Sequence, residues 1–363
     1  MLMSDLPAPV LIMAGGTGGH IFPGLAVAAA LRAHNVPVVW LGGTGGMEVK
    51  LVQERNIALQ TIPVSGVRGK NLLTRLVAPW MVLRALFAAL RVLRENRPGS
   101  VLSMGGYVAG PGGIAAWLTK RPLLVHEQNR VPGFTNKMLA RIARRVLAGF
   151  PDAFPENTKA EWTGNPVRAT IAALPSPAER FASHGQRPLL LVLGGSLGAR
   201  ALNQHVPHAL ALIPEAQRPR VLHQCGGAHL EATRTAYARV QVEARVETFI
   251  DNMAQAYAQA DLAICRAGAL TLAELAAVGL GAVLVPFPHA VDDHQTRNGE
   301  GFVAAGAAEL VQENDLAAAK LASMLQRLLG NREKLLAMAQ AARTLAKPEA
   351  AETIARRCME ATA

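Results

Sequence analysis

The stretch VLIMAGGTGGHIFPG, residues 10–24, places a titratable imidazole beside a glycine-rich loop. Residues 10–14 form a short apolar run typical of a buried strand, and the Ala-rich residues 21–31 predict a helix. The glycines between them let the backbone turn and expose N–H groups, which with the positive end of the helix dipole suit an anion, typically a phosphate. His20 stands where this helix begins, so the pattern indicates a proton acceptor beside an anion site. The alternative is that His20 only caps the helix.

Two later segments repeat the pattern of an apolar strand, a glycine-rich loop and a helix. SMGGYVAGPGG, residues 103–113, would add a second helix N-terminus to the first site, which is enough for a pyrophosphate. The alternative is a tight turn that lets this helix pack closely on its strand. GGSLGAR, residues 194–200, opens the second half of the chain on the same design.

Two strand ends carry side chains suited to a nucleotide and a sugar. In CRAGALTLAE, residues 265–274, the backbone N–H groups of residues 269–272 would face a diphosphate. Glu274 lies one turn further along, within reach of a ribose diol, although by itself it could also be a solvated helix charge. In HEQN, residues 126–129, Asn129 follows an apolar strand and could bind sugar hydroxyls or belong to a loop network.

The segment HAVDDHQ, residues 289–295, combines two carboxylates with two imidazoles, as a metal site would. However, Asp293 fits a helix N-cap, and no Asp-x-Asp pair stands before a small residue elsewhere to hold a nucleotide-bound cation. We therefore expect no metal ligands and no cofactor. Gln295, in the first helical turn, is the better candidate as a partner for sugar or phosphate.

Neither glycine loop matches a dinucleotide or P-loop signature. After Gly16 and Gly18, Ile21 stands where GxGxxG needs its third glycine, and no acidic residue ends the second strand. No GxxxxGK[ST] occurs at either loop. The sequence thus argues against an NAD-dependent dehydrogenase and against a P-loop NTPase.

Apolar runs and helical stretches alternate along the chain, which indicates α/β domains with parallel sheets covered on both faces. With 363 residues, half of them apolar, the chain is long enough for two domains. We expect a first domain over residues 1–167 and a second over 168–348, with a last helix at about 349–361 crossing back to the first. Expected strands cover residues 10–14, 38–41, 59–63, 100–104, 123–126, 145–148, 189–193, 220–224, 246–249, 262–265, 282–286 and 309–311. Expected helices cover residues 21–34, 48–55, 72–95, 112–118 and 133–143, and begin near residues 228, 253, 269, 293 and 315.

The excess of positive charge is confined to the first half. Through Arg168 the chain carries 19 Lys and Arg against 8 Asp and Glu, and from Ala169 onward it carries 18 of each. Residues 68–97 interleave basic residues with Leu, Val, Trp80 and Phe87, a composition typical of a helix lying on an anionic membrane. The alternative is a core helix with solvated arginines. Nucleic acid is disfavoured, because aromatic residues that could stack on bases are scarce.

Three further features bear on the compartment. Cys225, Cys265 and Cys358 are an odd number without CxxC spacing, which favours a reducing compartment over a disulfide framework. The apolar N-terminus lacks a basic n-region, so no signal peptide is expected. Residues 101–119 form a long uncharged segment, as a membrane span would. However, their glycines and proline favour a strand, a loop and a helix over one continuous spanning helix. We expect a soluble or peripheral protein.

Taken together, these motifs resemble those of the MurG family of glycosyltransferases. Eight segments match in order over nearly the full length: GGTGGHIFPGLAVA (15–28), SMGGYVAGPGG (103–113), HEQN (126–129), GNPVR (164–168), GGSLGAR (194–200), FIDNMAQAY (249–257), CRAGALTLAE (265–274) and PFPHAVDDHQ (286–295). One glycine loop is unspecific, whereas eight motifs in order are highly specific. The chain departs from the family at Leu197, where Gln is frequent, and at Ala267 and Ala273, where Ser is frequent, so side-chain contacts from these positions are lost.

The resemblance implies an α/β fold of the GT-B type, with two facing Rossmann-like domains and parallel sheets. It implies an inverting, metal-independent transfer of GlcNAc from UDP-GlcNAc to the 4-hydroxyl of MurNAc in undecaprenyl-pyrophosphoryl-MurNAc-pentapeptide (lipid I to lipid II), in peptidoglycan synthesis. The first domain would hold the acceptor and the second the donor. His20 resembles the proposed general base. The donor contacts would be Thr17, Gly18, Gly19, Asn129, Arg168, Ser196, Ile250, Ala269, Leu270, Thr271, Leu272, Ala273, Glu274 and Gln295.

The resemblance also implies a peripheral position on the cytoplasmic face of the bacterial inner membrane. The partners would be UDP-GlcNAc, the lipid acceptor and an anionic membrane surface, with no nucleic acid. Two other interpretations stay open at this point. One is a different GT-B enzyme, such as a UDP-GlcNAc 2-epimerase or a glycolipid glycosyltransferase, and the other is a non-catalytic nucleotide-sugar sensor at the membrane.

Overall fold

The computed structural model describes residues 7–64, 72–195 and 198–362. It divides the chain into two compact units. One unit runs to Pro166 and takes back the segment from Pro348, and the other runs from Val167 to Lys347. Each boundary lies one residue before the expected joint, the first beside Gly164 and Pro166 and the second at Pro348.

The first unit contains a parallel sheet with seven strands among its described residues. The strands are β1 (Val10–Ala14), β2 (Val38–Gly43), β3 (Ala58–Ile62), β4 (Ser100–Gly105), β5 (Leu123–Glu127), β6 (Arg145–Ala148) and β7 (Glu161–Trp162). The helices are α1 (Gly18–Ala33), α2 (Met47–Gln53), α3 (Leu72–Asn96), α4 (Ala109–Leu118) and α5 (Phe134–Leu139). Helix α1 begins three residues earlier than expected and takes His20 into its first turn. Strand β7 was not expected, because two residues are too short to show a period.

The central strands of the first sheet, such as β1, β2 and β4, are buried on both faces and therefore read as nearly continuous apolar runs. Successive side chains of β1 point to opposite faces, so that Val10 and Ile12 pack in the core under α1, and Leu11 and Met13 pack in the core under α3 and α4. The strand order is β3-β2-β1-β4-β5-β6-β7, with every described pairing parallel. The connections run in opposite directions from β1 and β4, which makes the carboxyl ends of these two strands the place where a ligand crevice opens.

The second unit repeats the architecture with a parallel sheet of six described strands in the order β10-β9-β8-β11-β12-β13. The strands are β8 (Leu189–Leu193), β9 (Arg220–Gln224), β10 (Arg245–Glu247), β11 (Leu262–Cys265), β12 (Ala282–Leu284) and β13 (Ala308–Leu310). The helices are α6 (Ala169–Ala172), α7 (Pro177–Ser183), α8 (Arg200–Ala211), α9 (Leu230–Arg239), α10 (Met253–Gln259), α11 (Ala269–Val278), α12 (His294–Ala304), α13 (Ala318–Leu329) and α14 (Arg332–Thr344). Helices α6, α7 and α14 lie outside the expected set. The crevice of this sheet opens at the carboxyl ends of β8 and β11.

The last helix, α15 (Ala350–Thr362), belongs to the first unit, where it packs on α1. Ile354 and Cys358 are fully buried in the core that β1 and α1 share. Arg357 forms a bidentate ion pair with Glu161 of β7, with Nη2 at 2.7 Å from Oε1 and Nε at 2.8 Å from Oε2. The Arg357 guanidinium lowers the pKa of the Glu161 carboxyl, and the carboxylate raises the pKa of Arg357. The end of the chain is thus an integral layer of the first unit.

Candidate active site

Two glycine loops meet at the crevice of the first sheet. Gly106, with φ +86°, lies so close to Gly15 that a Cβ at position 106 would collide with the Gly15 backbone. The ring of Tyr107 lies beside Gly16 on the same side of the sheet. The loops after β1 and β4 therefore form one surface, at which the N-termini of α1 and α4 both begin.

His20 lies in the first turn of α1 and is half-buried. Its Nδ1 is 3.0 Å from Oε1 of Gln128, and its ring packs over Gly105. The N-cap of α1 is Thr17, which makes no hydrogen bond through its side chain. His20 is therefore not the helix cap, and its imidazole is instead oriented by a partner 108 positions away in the sequence.

A buried carboxylate binds one backbone N–H of the glycine loop that follows β1. Glu48 of α2 accepts the N–H of Gly43 at 2.8 Å and the N–H of Gly16 at 3.4 Å. The Gly16 amide is thus engaged within the protein. By helix geometry, the amides of Gly18 and Gly19 have no partner inside α1, so these two are the N–H groups that the helix can offer to an anion.

The residues of the HEQN segment have two different roles: Glu127 bonds to the following loop, and Gln128 faces His20. Glu127 is buried and accepts hydrogen bonds from the N–H of Asn129 (2.9 Å), the N–H of Gly133 (3.1 Å) and the side-chain amide of Asn136 (3.0 Å). Glu127 therefore orders the loop that leads into α5. Asn129 is half-buried, and its side-chain amide also lies 3.3 Å from Glu127. Gln128, which the sequence pattern did not distinguish from its neighbours, is the residue that reaches His20.

In the second unit, Arg168 and Glu274 form an ion pair. Nη2 and Nε of Arg168 lie 2.8 Å and 3.2 Å from Oε1 of Glu274, and the hydroxyl of Tyr257 donates to Oε2 at 3.0 Å. The Glu274 side chain is only 18% exposed, so it is not a solvated helix charge. Burial, and then the carboxylate of Glu274, raise the pKa of Tyr257 well above 10, which keeps its hydroxyl a hydrogen-bond donor. Tyr257 was not among the expected site residues, although it ends one of the eight motifs.

Helix α11 directs its first amides into the crevice of the second sheet. Its N-cap is Gly268, and the amides of Ala269, Leu270 and Thr271 have no partner within the helix by geometry. The N–H of Leu272, in contrast, donates to the Gly268 carbonyl at 3.0 Å. The amides without a helical partner are therefore those of residues 269–271, whereas the Leu272 amide of the expected set is already bonded within the chain.

The remaining expected donor contacts are distributed over the second unit. Ile250 is buried and follows β10. Gln295 lies in the first turn of α12, where its Oε1 accepts the N–H of Phe287 at 3.0 Å, so a ligand contact would use its NH₂ group. Ala273 is half-buried on α11. Ser196 falls outside the described residues.

The acidic segment before α12 is organised by local hydrogen bonds. Asp293 occupies the N-cap position, but its carboxylate accepts the Thr296 hydroxyl at 2.7 Å and caps no backbone N–H. In the part of the chain that the structure describes, no group of three or more His, Cys, Asp or Glu residues is placed to hold a metal ion. Across the same ranges, every helix is too short or too polar to cross a bilayer.

Two family models match the chain, one in each unit. The glycosyltransferase family 28 N-terminal domain matches residues 10–148, and the glycosyltransferase family 28 C-terminal domain matches residues 189–354. Together they cover more than half of the chain. The class of protein is therefore a two-domain glycosyltransferase of family 28.

Curated relatives identify the group within family 28 to which the chain belongs. Proteins called UDP-N-acetylglucosamine–N-acetylmuramyl-(pentapeptide) pyrophosphoryl-undecaprenol N-acetylglucosamine transferase from Alkalilimnicola ehrlichii, Marinobacter nauticus and Xylella fastidiosa are 56%, 52% and 59% identical to this chain. The alignments cover 97%, 99% and 96% of this chain and 98%, 99% and 95% of those proteins. The chain belongs to the MurG family.

Solved structures agree with this assignment. The crystal structure of Acinetobacter baumannii MurG is similar with a TM-score of 0.83 and 40% identity, covering 98% of this chain and 100% of that one. A UDP-GlcNAc 2-epimerase from Neisseria meningitidis, crystallised with UDP-GlcNAc, has a TM-score of 0.66 at 12% identity over 97% of this chain and 99% of that one. The second likeness shows the fold alone. Both comparisons match the GT-B type of fold expected from the sequence.

Proposed function

We propose that this chain transfers GlcNAc from UDP-GlcNAc to the 4-hydroxyl of MurNAc in undecaprenyl-pyrophosphoryl-MurNAc-pentapeptide, with inversion at the anomeric carbon. The observation that carries the proposal is identity above 50% over nearly the full length to transferases named for this reaction. The site geometry supports it, because each unit supplies a helix N-terminus at the crevice of its sheet. A UDP-GlcNAc 2-epimerase from Neisseria meningitidis shares the fold, but at only 12% identity.

In the proposed reaction His20 is the general base. Its Nδ1 is held by Gln128, which leaves Nε2 to accept the proton of the acceptor hydroxyl. The hydroxyl oxygen then bonds to the anomeric carbon of GlcNAc, and the bond from that carbon to the β-phosphate oxygen breaks. The bonding electrons leave with UDP. An imidazole with a free lone pair can accept this proton, which is what the role of general base requires.

The leaving diphosphate gains negative charge, and groups of the second unit are placed to stabilise it. The amides of residues 269–271 lie at the positive end of α11, and Arg168 adds a full charge. Glu274 orients Arg168 and keeps lone pairs that can accept ribose hydroxyls. We assign these groups to donor binding together with Ile250 and Gln295.

The test is to incubate the purified chain with UDP-GlcNAc and the lipid acceptor and to measure the disaccharide-lipid product. We expect His20→Ala to lower turnover by about 10²- to 10⁴-fold, the usual contribution of general base catalysis. The matched control is His208→Ala, which removes an exposed histidine of α8 and should leave turnover unchanged.

Each rival function has its own outcome in this assay. A sensor would bind UDP-GlcNAc without releasing UDP when acceptor is present, and an epimerase would convert the donor without using the acceptor. Correctly folded His20→Ala with native turnover would remove His20 from the role of base.

We also assign membrane binding to one face of the first unit, formed by the outer surfaces of α3, α4 and α5. The large apolar side chains exposed there are Trp80, Val82, Leu83, Phe87, Ile114, Trp117, Leu118, Phe134, Met138 and Ile142. Exposed basic residues lie among them: Arg84, Arg91, Lys120, Lys137 and Arg141. Exposed aromatic and aliphatic groups with a basic surround suit an anionic lipid surface. The sequence indicated α3 alone, whereas the fold adds α4 and α5.

Vesicle binding tests this surface. Trp80 and Phe87 are 72% and 68% exposed, and burial of each ring in lipid contributes roughly 1.5–3 kcal/mol. We expect the double variant Trp80→Ser, Phe87→Ser to bind vesicles containing anionic phospholipid at least about tenfold more weakly. Leu212→Ser, at an exposed apolar position of the second unit, is the control. Equal binding by both variants, or native binding that does not respond to salt or to anionic lipid, would contradict the assignment.

A further inference from the structure

A chain of hydrogen bonds runs from a fixed backbone carbonyl to the imidazole of His20. It begins at His126, whose side chain is completely buried at the end of β5. Nε2 of His126 lies 3.0 Å from the carbonyl oxygen of Gly164. A carbonyl oxygen can only accept, so this Nε2 carries a proton.

The second nitrogen of His126 is consequently an acceptor. Burial lowers the pKa of His126 to about 4, so the ring is neutral at pH 7 and its Nδ1 has a lone pair. Nε2 of Gln128 lies 3.1 Å from this Nδ1 and 3.1 Å from the His126 carbonyl oxygen. Two acceptors thus face the same end of the Gln128 amide, and that end must be the NH₂ group.

The orientation of Gln128 decides the protonation of His20. With its NH₂ turned to His126, the amide presents Oε1 to Nδ1 of His20 at 3.0 Å. This oxygen can only accept, so Nδ1 of His20 carries the proton and the neutral ring keeps its lone pair on Nε2. The Gln128 side chain is buried at 1% exposure, and turning its amide would place Oε1 against two acceptors of His126.

We propose that Gln128 and His126 are positioning residues that hold His20 in the Nδ1–H tautomer, so that Nε2 is the atom that takes the proton from the acceptor hydroxyl. The inference rests on the proposed role of His20 as the base. A neutral amide fills the place that a carboxylate takes in many catalytic histidine pairs. The fold therefore selects the reactive nitrogen without adding a negative charge beside the phosphates of the substrates.

Nitrogen-15 NMR of the histidine rings tests the tautomer directly in the unaltered full-length chain. The His20 signals are those missing from the spectrum of His20→Ala, and they are recorded near pH 8, where an ordinary imidazole is neutral. We expect a protonated Nδ1 and an unprotonated Nε2. The opposite assignment in the native chain would overturn the proposal whether or not any variant folds.

Gln128→Leu then tests the consequence for catalysis. It keeps the side-chain size but removes the acceptor, so we expect the His20 signals to shift toward the Nε2–H form and kcat to fall about 10- to 100-fold. The KM for UDP-GlcNAc should stay close to native, because Gln128 acts through the base. The control is Tyr237→Phe, which removes a hydroxyl 2.9 Å from the buried His223 of the second unit and should change the signals of that histidine alone.

A double-variant cycle separates this inference from the proposed function. If Gln128 acts through His20, Gln128→Leu lowers kcat in the native background and adds no further loss to His20→Ala. A further loss in the His20→Ala background would mean a general structural role and would contradict the inference. Native kcat in Gln128→Leu, with His20→Ala still impaired, would overturn the positioning role and leave the base in place. If His20→Ala itself keeps native turnover, the proposed function of His20 fails first.

Discussion

Because Gly105 has no side chain, the imidazole of His20 has room to pack over it. The residue has φ +103°, and a Cβ built there would lie 3.0 Å from both Cε1 and Nδ1 of His20. Glycine is needed at this position for backbone conformation and for space together. The packing of one residue of β4 thus controls where the proposed base sits in α1.

We predict that Gly105→Ala lowers turnover by about tenfold, because a Cβ at 3.0 Å makes the imidazole give by a few tenths of an ångström and so misplaces the base. Gly45→Ala is the matched control: Gly45 has φ +77°, but an added Cβ meets no atom within 4 Å. Both variants carry the conformational cost of a positive φ, of order 1–3 kcal/mol. Turnover and the thermal melting temperature are measured for both variants. Equal turnover in the two variants would show that the contact with His20 is unimportant.

At the scale of elements, helix N-termini lie at the crevice of each sheet, and α15 packs on α1 and β4 of the first unit. Ser100, at the start of β4, donates to the Cys358 carbonyl of α15 at 2.9 Å. Ile354 and Cys358 complete the core under α1, the helix that carries His20. The last helix is thereby a structural part of the first unit, although it follows the second unit in sequence.

We predict that Ile354→Ala destabilises the first unit by about 2–5 kcal/mol, since the side chain is fully buried. Hydrogen exchange should then accelerate in α1 and β4, while β8 and β11 keep their native protection. Leu325→Ala, at a fully buried position of the second core, should give the reverse pattern. Uniform acceleration in both units after Ile354→Ala would argue against α15 as a layer of the first unit.

At the scale of the whole molecule, each unit contains a buried histidine that the fold keeps neutral. Burial lowers the pKa of His126 to about 4 in the first unit and the pKa of His223 to about 3 in the second. In the unfolded chain each would titrate near 6.5. Below that pH the unfolded chain binds more protons than the folded chain, so the free energy of unfolding rises with pH and falls on acidification.

We predict that both units lose stability as the pH falls from about 6.5 toward 4, with each histidine contributing about 2 kcal/mol between pH 7.5 and 5. The loss from His126 ends near its folded pKa of about 4. Urea unfolding at several pH values measures the effect. His223→Leu should be less stable than the native protein at neutral pH but show a flatter pH dependence. An unchanged slope in this variant would mean that His223 does not contribute.

The sequence alone predicted most of the strands and helices, although not β7, α6, α7 or α14, and it indicated the two-domain α/β organisation and the family. Apolar runs that end in glycine predict strand-to-helix turns, because strand and helix preference depends on neighbouring residues, and eight motifs in order identified the MurG family. Only the tertiary structure decided the partners of the site residues. Gln128 reaches His20 over 108 positions and Arg168 reaches Glu274 over 106, because the order of strands in each sheet brings their ends together. Local preference does not encode that order, so the tautomer of His20 and the ion pair of Glu274 became visible only in the fold.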